Sequence, residues 1–199
     1  MIRIAITQRL MLNETYYELR ESLDIKWGEL FNELKFLPVV FPYNYDFKDF
    51  DFDGVILSGG NDIGEFELRD KFELKLIEYA IQNNIPVFGV CRGMQIIAKY
   101  FDCNFTEVKN QVAIYHKLSL NKNSKYYSYL RNINEVNSFH NIAVKNIPSS
   151  LIVSAWNDDK SIIKALEHKK YKIFGQMWHS EREKPFKKEE LEMISEFFS

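Results

Sequence analysis

The chain is poor in cysteine, with only Cys91 and Cys103 among 199 residues. Two cysteines do not make a disulfide framework, and in a reducing compartment a lone cysteine is either an inert core residue or a nucleophile. Each of the two therefore has to be judged by its own sequence context. Neither paired cysteines nor closely spaced histidines occur, so we expect no metal site and no cofactor.

Long apolar runs and an excess of positive charge are also absent. The N-terminus, MIRIAITQRL, lacks the apolar stretch of a signal peptide or a membrane-spanning helix, so we expect a cytoplasmic protein without a membrane partner. The formal net charge of −2 offers no basic surface for nucleic acid. The length predicts a single domain over residues 1–199. The sequence leaves the oligomeric state open, a homodimer included.

The first half of the chain alternates strand patterns with helix patterns. Ile2–Ile6 alternates apolar and polar residues, and Asn13–Lys35 has the capping residue and the spacing of one long helix. The runs GVILSGG, Gly54–Gly60, and IPVFGV, Ile85–Val90, predict buried strands, with a helix over Phe66–Asn83 between them. Strands that alternate with helices imply parallel crossovers, so we expect an α/β fold with a mostly parallel central sheet and helices on both faces.

The second half consists of shorter segments. The pattern between Asp102 and Asn134 is weak and predicts loops and short strands. Four later segments have strand periodicity: EVNSFHNIAV, LIVSAWND, SIIKALEH and KIFGQMWH. Asp158-Asp159 is the predicted hairpin turn, and the chain ends in an amphipathic helix over Lys187–Phe198.

The segment Gly89-Val90-Cys91-Arg92-Gly93 places a cysteine between two glycines, after a strand and before a helix. Glycines permit the sharp strand-to-helix turn of a G-x-nucleophile-x-G motif, which holds the central side chain out at the carboxyl end of the sheet. Peptide N–H groups at a helix N-terminus favour the thiolate, the nucleophilic form of cysteine. The alternative is a small buried thiol at a glycine-rich junction, and the motif alone does not decide between the two.

Catalysis by Cys91 also needs donors for an oxyanion. The glycine turn after Leu57 is predicted to lie at the same edge of the sheet as Cys91. The backbone N–H groups of Gly60 and Arg92 are therefore the candidate pair of donors. Cys103 has no flanking glycines, so we expect it to be structural.

A cysteine nucleophile needs a general base, and His179 is the best candidate among the four histidines. In an extended chain residues i and i+2 point the same way, so Glu181 can orient the His179 imidazole while Ser180 faces away. His168 lies in the charged segment LEHKKYK and is expected at the surface, and His116 is expected to be structural. The alternative for His179 is a surface histidine beside a charged loop.

The segments GVCRGMQ and MWHSE resemble the signature of the class I glutamine amidotransferases, G-x-C-x-G-x-Q followed late in the chain by W-H-P-E. The segments GVILSGGNDIGEF, YHKLSL and VNSFHNIAV are most similar to the γ-glutamyl hydrolase branch of that superfamily, the C26-type peptidases. The resemblance covers nearly the whole chain and implies the flavodoxin-like α/β fold of that superfamily. Ser180 departs from it, because the family has a proline at that place.

The resemblance implies roles for individual residues. Cys91 would be the nucleophile, His179 the general base and Glu181 the carboxylate that orients it. Gly60 and Arg92 would donate to the oxyanion through their backbone N–H groups. The residues implied to bind the substrate are Gln95, Asn137, Ser138 and His140.

We therefore expect a cysteine-dependent hydrolase that acts on a small-molecule γ-glutamyl amide and releases glutamate plus an amine or amidate. Two alternatives stay open: a glutaminase subunit that delivers ammonia to a separate synthetase, and a catalytically silent binding or regulatory protein on the same fold. The sequence does not identify the leaving group. Nor does it rank Arg9, Arg20 and Lys99 as phosphate contacts.

Overall fold

The computed structural model describes residues 1–199, which form fourteen strands and five α-helices. The strands are β1 (Arg3–Ile6), β2 (Arg9–Asn13), β3 (Glu18–Ser22), β4 (Leu37–Val39), β5 (Gly54–Leu57), β6 (Val87–Val90), β7 (Asn104–Glu107), β8 (Val112–His116), β9 (Leu118–Leu120), β10 (Val136–Phe139), β11 (Ile142–Lys145), β12 (Leu151–Asn157), β13 (Ile163–His168) and β14 (Ile173–Gln176). The helices are α1 (Ile25–Leu34), α2 (Glu67–Gln82), α3 (Arg92–Tyr100), α4 (Tyr127–Leu130) and α5 (Lys188–Phe198).

An eight-stranded sheet in the order β4-β1-β5-β6-β14-β13-β12-β9 is the centre of the molecule. Its first five strands pair in parallel, and the last three continue the sheet antiparallel. Three two-stranded sheets, β10-β8, β11-β7 and β2-β3, supplement it. The mostly parallel central sheet expected from the sequence is confirmed. None of the five helices combines the length and the apolar character needed to cross a bilayer.

Helices cover both faces of this sheet, as neighbouring residues of β6 demonstrate. The Phe88 ring contacts the ring of Phe197 from α5, with centroids 5.3 Å apart. The next residue, Gly89, packs against Gly93 and Ile97 of α3. Consecutive strand residues point to opposite faces, so α3 and α5 lie on opposite sides of the sheet.

The single long helix predicted over Asn13–Lys35 is wrong. The first part of this segment forms a turn and strand β3. Strand β3 pairs antiparallel with β2, and Arg9 lies opposite Ser22. The Asn13 carboxamide oxygen accepts from the Thr15 N–H at 3.1 Å, which is the local bond of an Asx turn and competes with helix formation. The residue that caps α1 is Asp24, whose side chain accepts from the N–H of the second helical residue.

The second half follows the predicted strand pattern more closely. Strands β12 and β13 form the hairpin expected around Asp158-Asp159. The exposed position predicted for His168 is wrong, because its imidazole is stacked between the rings of Phe101 and Tyr171. Its Nδ1 accepts from the Tyr171 N–H at 2.9 Å, so the turn holds this histidine inside.

Candidate active site

Cys91 occupies a strained turn between β6 and α3. Its φ of +53° and ψ of −106° lie outside the regions that non-glycine residues commonly adopt, and such strain concentrates at functional sites. The Cys91 N–H donates to the Gln176 carbonyl of β14 at 2.7 Å, and the Cys91 carbonyl accepts from Gln95 N–H at 3.2 Å. These two bonds fix the turn at the carboxyl ends of two neighbouring parallel strands.

The imidazole of His179 lies next to this turn and is held by Glu181. His179 Nδ1 is 2.6 Å from Glu181 Oε1, and both side chains are buried. The two residues meet through a 3₁₀ turn over Ser180–Arg182, not through the extended chain that the sequence predicted. Ser180 is consequently buried, and its Oγ accepts from Gln176 Nε2 at 2.8 Å.

The electrostatic environment of His179 favours its charged form. Burial lowers the pKa of His179, but the Glu181 carboxylate and the Cys91 thiolate outweigh burial and raise this pKa to about 9. A protonated imidazole hydrogen-bonded to a cysteine is the arrangement that stabilises a thiolate. At neutral pH the His179 imidazole is therefore protonated.

A cavity of about 260 Å³ opens above Cys91 and is also lined by Gly60, the predicted oxyanion donor. Gly60 has a φ of +80°, and its N–H donates no hydrogen bond within the protein. A Cβ added to the preceding residue, Gly59, would lie 2.8 Å from His179 Cε1 and 3.6 Å from Cys91 Cβ. The glycine turn, the thiol and the imidazole therefore meet at one place. Arg92 lines the same cavity and begins α3, where helical N–H groups lack partners.

The chain is similar to proteins of known families. The family model for peptidase C26 matches residues 4–181, which is most of the chain. The chain belongs to the peptidase C26 family. It is 36% identical to the gamma-glutamyl-CDP-amidate hydrolase of Campylobacter jejuni, over 98% of this chain and 97% of that protein. It is also 36% identical to a glutamine-hydrolyzing GMP synthase subunit of Picrophilus torridus, over 66% of this chain and 68% of that protein.

Solved structures share the fold at lower sequence identity. A putative GMP synthase subunit from Thermoplasma acidophilum superposes with a TM-score of 0.76 at 21% identity, covering 100% of this chain and 92% of that one. A glutamine amidotransferase from Thermotoga maritima superposes with a TM-score of 0.68 at 19% identity, covering 98% and 83%. The flavodoxin-like fold expected from the resemblance is confirmed.

Two of the four residues implied to bind substrate line the cavity of this C26-family chain. Gln95 lies in the cavity wall, and its Nε2 donates to the Ile142 carbonyl at 3.0 Å. His140 also lines the cavity, but both of its ring nitrogens are engaged. Nδ1 lies 2.9 Å from the Ile142 carbonyl oxygen, and Nε2 lies 2.9 Å from Lys164 Nζ. His140 therefore offers substrate the carbon edge of a neutral ring.

Lys164 is a buried cation without a carboxylate partner. Its Nζ lies 2.9 Å from Gln111 Oε1 and 3.0 Å from Ser138 Oγ, and His140 is its third neighbour. Burial lowers the pKa of Lys164 to about 8, and burial together with this ammonium lowers the pKa of His140 to about 3. The lysine thus keeps the histidine neutral and fixes its tautomer.

The other two residues, Asn137 and Ser138, do not line the cavity. The Asn137 carboxamide accepts from the His179 N–H at 2.9 Å and donates to the His179 carbonyl at 2.9 Å. Ser138 is buried, and its hydroxyl faces Lys164. The structure therefore corrects the expected place of both side chains in the substrate cavity: Asn137 holds the backbone of His179, and Ser138 belongs to the lysine cluster.

A buried ion-pair network supports the glycine turn, and the sequence did not reveal it. Arg69 of α2 is fully buried, and its guanidinium donates to the carbonyl oxygens of Gly59, at 3.2 Å, and of Gly60. A trans peptide points its C=O and N–H in opposite directions, so holding the Gly59 carbonyl turns the Gly60 N–H away from Arg69. Arg69 Nε also pairs with Glu73 at 3.0 Å, and Glu73 pairs with Arg92. One network thus braces both candidate oxyanion donors.

Three residues that the sequence did not reveal, Arg69, Glu73 and Lys164, share one property. Each has a charged side chain that is buried, whereas charged side chains are normally exposed. A spacing of four places Arg69 and Glu73 on one helix face, which was the only available signal. Lys164 lies within an apolar strand, and no local pattern distinguishes a buried lysine from an edge lysine there.

Proposed function

We propose that the protein is a cysteine-dependent hydrolase that cleaves a γ-glutamyl amide bond and releases glutamate together with an amine or amidate. One observation carries this proposal: the Cys91 thiol and the unpartnered Gly60 N–H line one cavity, and the His179–Glu181 pair lies beside them at the same glycine turn. Nucleophile, base, orienting carboxylate and oxyanion donor are the parts that acyl transfer from an amide requires.

In the first half of the proposed reaction, the Cys91 thiolate attacks the γ-carbonyl carbon. The N–H groups of Gly60 and Arg92 receive the oxyanion, and the protonated His179 donates its proton to the leaving nitrogen. The C–N bond breaks, and a γ-glutamyl thioester forms on Cys91. This role suits an imidazole whose pKa is raised to about 9, since it is protonated at neutral pH.

In the second half, water hydrolyses the thioester. Acylation removes the negative charge of Cys91, which is one of the causes that raise the pKa of His179. The pKa of His179 therefore falls once the thioester has formed, and the imidazole is able to accept a proton from water. Glutamate leaves, and the thiolate–imidazolium pair is restored.

The substrate is a small molecule in this proposal, and residues 1–199 carry the whole activity as one domain. The relative from Campylobacter jejuni is named for γ-glutamyl-CDP-amidate hydrolysis and aligns along the full chain. A nucleotide amidate of the kind used in capsule phosphoramidate synthesis is therefore the leading candidate for the leaving group. Gln95 and the carbon edge of His140 are the proposed contacts of the glutamyl part.

A glutaminase subunit is the second candidate. It is favoured by the similarity to the GMP synthase subunit of Picrophilus torridus, which extends over 66% of this chain. Free glutamine would then be the substrate, and the ammonia would pass to a separate synthetase.

A panel of substrates tests the proposal. Glutamate release is measured from glutamine, γ-glutamyl amines, γ-glutamyl peptides and γ-glutamyl nucleotide amidates. We expect γ-glutamyl derivatives with a larger leaving group to exceed glutamine in kcat/KM. A preference for glutamine over all the others would identify the subunit function, and no glutamate release from any of them would revive a silent binding protein.

The pH dependence of hydrolysis is expected to change when Glu181 is replaced. Glu181→Gln removes a carboxylate that raises the pKa of His179 to about 9. The imidazolium exists below its pKa, so a lower pKa removes the proton donor at lower pH. The basic limb of the kcat/KM profile should therefore move to lower pH by about one unit or more. Glu192→Gln, on the exposed side of α5, is the matched control and should leave the limb in place. An unmoved limb in Glu181→Gln would contradict the role of Glu181.

A further inference from the structure

A second, narrower cleft lies beside the cavity above Cys91, and Gly60 lines both. The cleft has a volume of about 30 Å³. A buried water molecule needs about 10–15 Å³ of the same kind of space, so the cleft holds one compact group on the order of two waters in size. A phosphoryl group has this size, and the remainder of a larger molecule would lie over the rim.

The proposed mechanism places the two halves of the substrate in different spaces. Cys91 and Gln95 line the larger cavity, so the glutamyl group that becomes the thioester lies there. His179 lines the narrow cleft. Because His179 protonates the leaving nitrogen, the leaving group departs on the side of His179 and enters the cleft.

The two spaces also differ in the charge of the residues that line them. The larger cavity has the carboxylates Asp62 and Glu65 in its wall, which suit the ammonium group of a glutamyl moiety. The cleft is lined by Arg9 and Arg182, and its two acids, Asp24 and Glu181, are already engaged with the α1 N-terminus and with His179. The two spaces therefore suit a substrate that has a cationic group in the larger cavity and an anionic group in the cleft.

Neither arginine of the cleft is neutralised by a close carboxylate. Arg9 is exposed and takes part in no ion pair, and its side chain packs over Gly60. The ion pair of Arg182 is with Glu181 Oε1 at 3.7 Å, and that oxygen already bonds His179 at 2.6 Å. The other acid of the cleft, Asp24, caps α1. Arg182 also packs over the Phe139 ring, with its guanidinium carbon 4.7 Å from the ring centroid. No hydrogen bond to a carboxylate engages either guanidinium group, so both keep N–H donors for a ligand.

We propose that Arg9 and Arg182 form a leaving-group subsite for a phosphate, so that the preferred substrate is a γ-glutamyl phosphoramidate. The inference rests on the proposed function, because it takes the direction of departure from that mechanism. The planar guanidinium binds phosphate oxygens through paired hydrogen bonds, and these bonds are stronger than those to a neutral amide.

Three matched substrates test the subsite by hydrolysis: a γ-glutamyl phosphoramidate, γ-glutamylglycine and the uncharged γ-glutamylanilide. Arg9→Gln and Arg182→Gln should each lower kcat/KM for the phosphoramidate by about 10- to 100-fold, as expected for losing a hydrogen bond to a charged group. They should change kcat/KM for the anilide by less than about 3-fold. Arg20→Gln, on the same hairpin but outside the cleft, is the matched control and should behave as wild type.

Binding of cytidine 5′-diphosphate, measured by calorimetry, separates the subsite from the proposed function. Wild type should bind it, and both cleft variants should bind at least about 10-fold more weakly. Wild type that hydrolyses no substrate but binds the diphosphate through both arginines would overturn the proposed function and support the subsite. Equal losses on all three substrates, unchanged phosphoramidate kinetics, or a preference for γ-glutamylglycine would overturn the subsite.

Discussion

Replacing Cys91 with alanine is expected to reduce glutamate release from a γ-glutamyl amide by at least about 10³-fold, because loss of the nucleophile removes the whole covalent route. The fold should survive, since alanine lacks only the sulfur atom. Unchanged circular dichroism and an unchanged melting temperature to within a few degrees would establish this. The measurement is kcat under saturating substrate, compared with the wild-type protein in the same preparation.

Cys103→Ala is the matched control for this prediction. Cys103 is buried away from the cavity, and burial raises the pKa of its thiol to about 11, so it is an inert thiol at neutral pH. The control should keep wild-type activity. An alkylating glutamine analogue should label Cys91 and leave Cys103 unlabelled. Wild-type turnover in Cys91→Ala would refute the proposed mechanism, whatever the labelling result.

Gly93→Ala is expected to destabilise the protein severely. A Cβ at Gly93 would overlap the carbonyl oxygen of Leu57 in β5, and backbone atoms of a central strand have no room to move aside. Overpacking of this kind costs about 3 kcal/mol or more, which for a chain of this size lowers the melting temperature by about 6–12 °C. Failure to obtain soluble protein is the extreme form of the same result.

Gly28→Ala provides the opposite control. Gly28 is exposed in the middle of α1, and nothing lies within 4 Å of an added Cβ. Alanine is favoured over glycine in a helix by about 1 kcal/mol, so the melting temperature should rise by about 2–4 °C. Thermal denaturation of both variants under identical conditions checks the pair. A Gly93→Ala protein as stable as wild type would contradict the close approach of α3 to β5.

The predictions that succeeded rest on local patterns with a single physical meaning. Paired glycines around Cys91 after an apolar run predict a strand, a sharp turn and a helix, and the structure has β6, the turn and α3. Strand β5, which precedes Gly60, was predicted from the same kind of pattern: an apolar run that ends in paired glycines. Because carboxyl ends of parallel strands share an edge, the meeting of these segments followed from the fold class.

The predictions that failed concern segments in which two structures compete. The residues from Asn13 to Ser22 combine a capping asparagine with a segment, Glu18–Ser22, that pairs with β2, and Tyr16 and Tyr17 lie in the turn between the two strands. Pairing with β2 decided in favour of the hairpin. Asn137 and Ser138 were assigned to substrate by resemblance, and their true partners lie far away in sequence: His179 and Lys164. Long-range hydrogen bonds of this kind leave no periodic trace.

The hairpin β2–β3 lies outside the eight-stranded sheet, and Arg9 is its first residue. The acyl-transfer groups, in contrast, lie on turns fixed by the central strands. In the proposed subsite, recognition of the departing half of the substrate is thus partly encoded outside the central sheet. Exchange of residues 9–22 between family members is accordingly expected to change the selectivity for the leaving group.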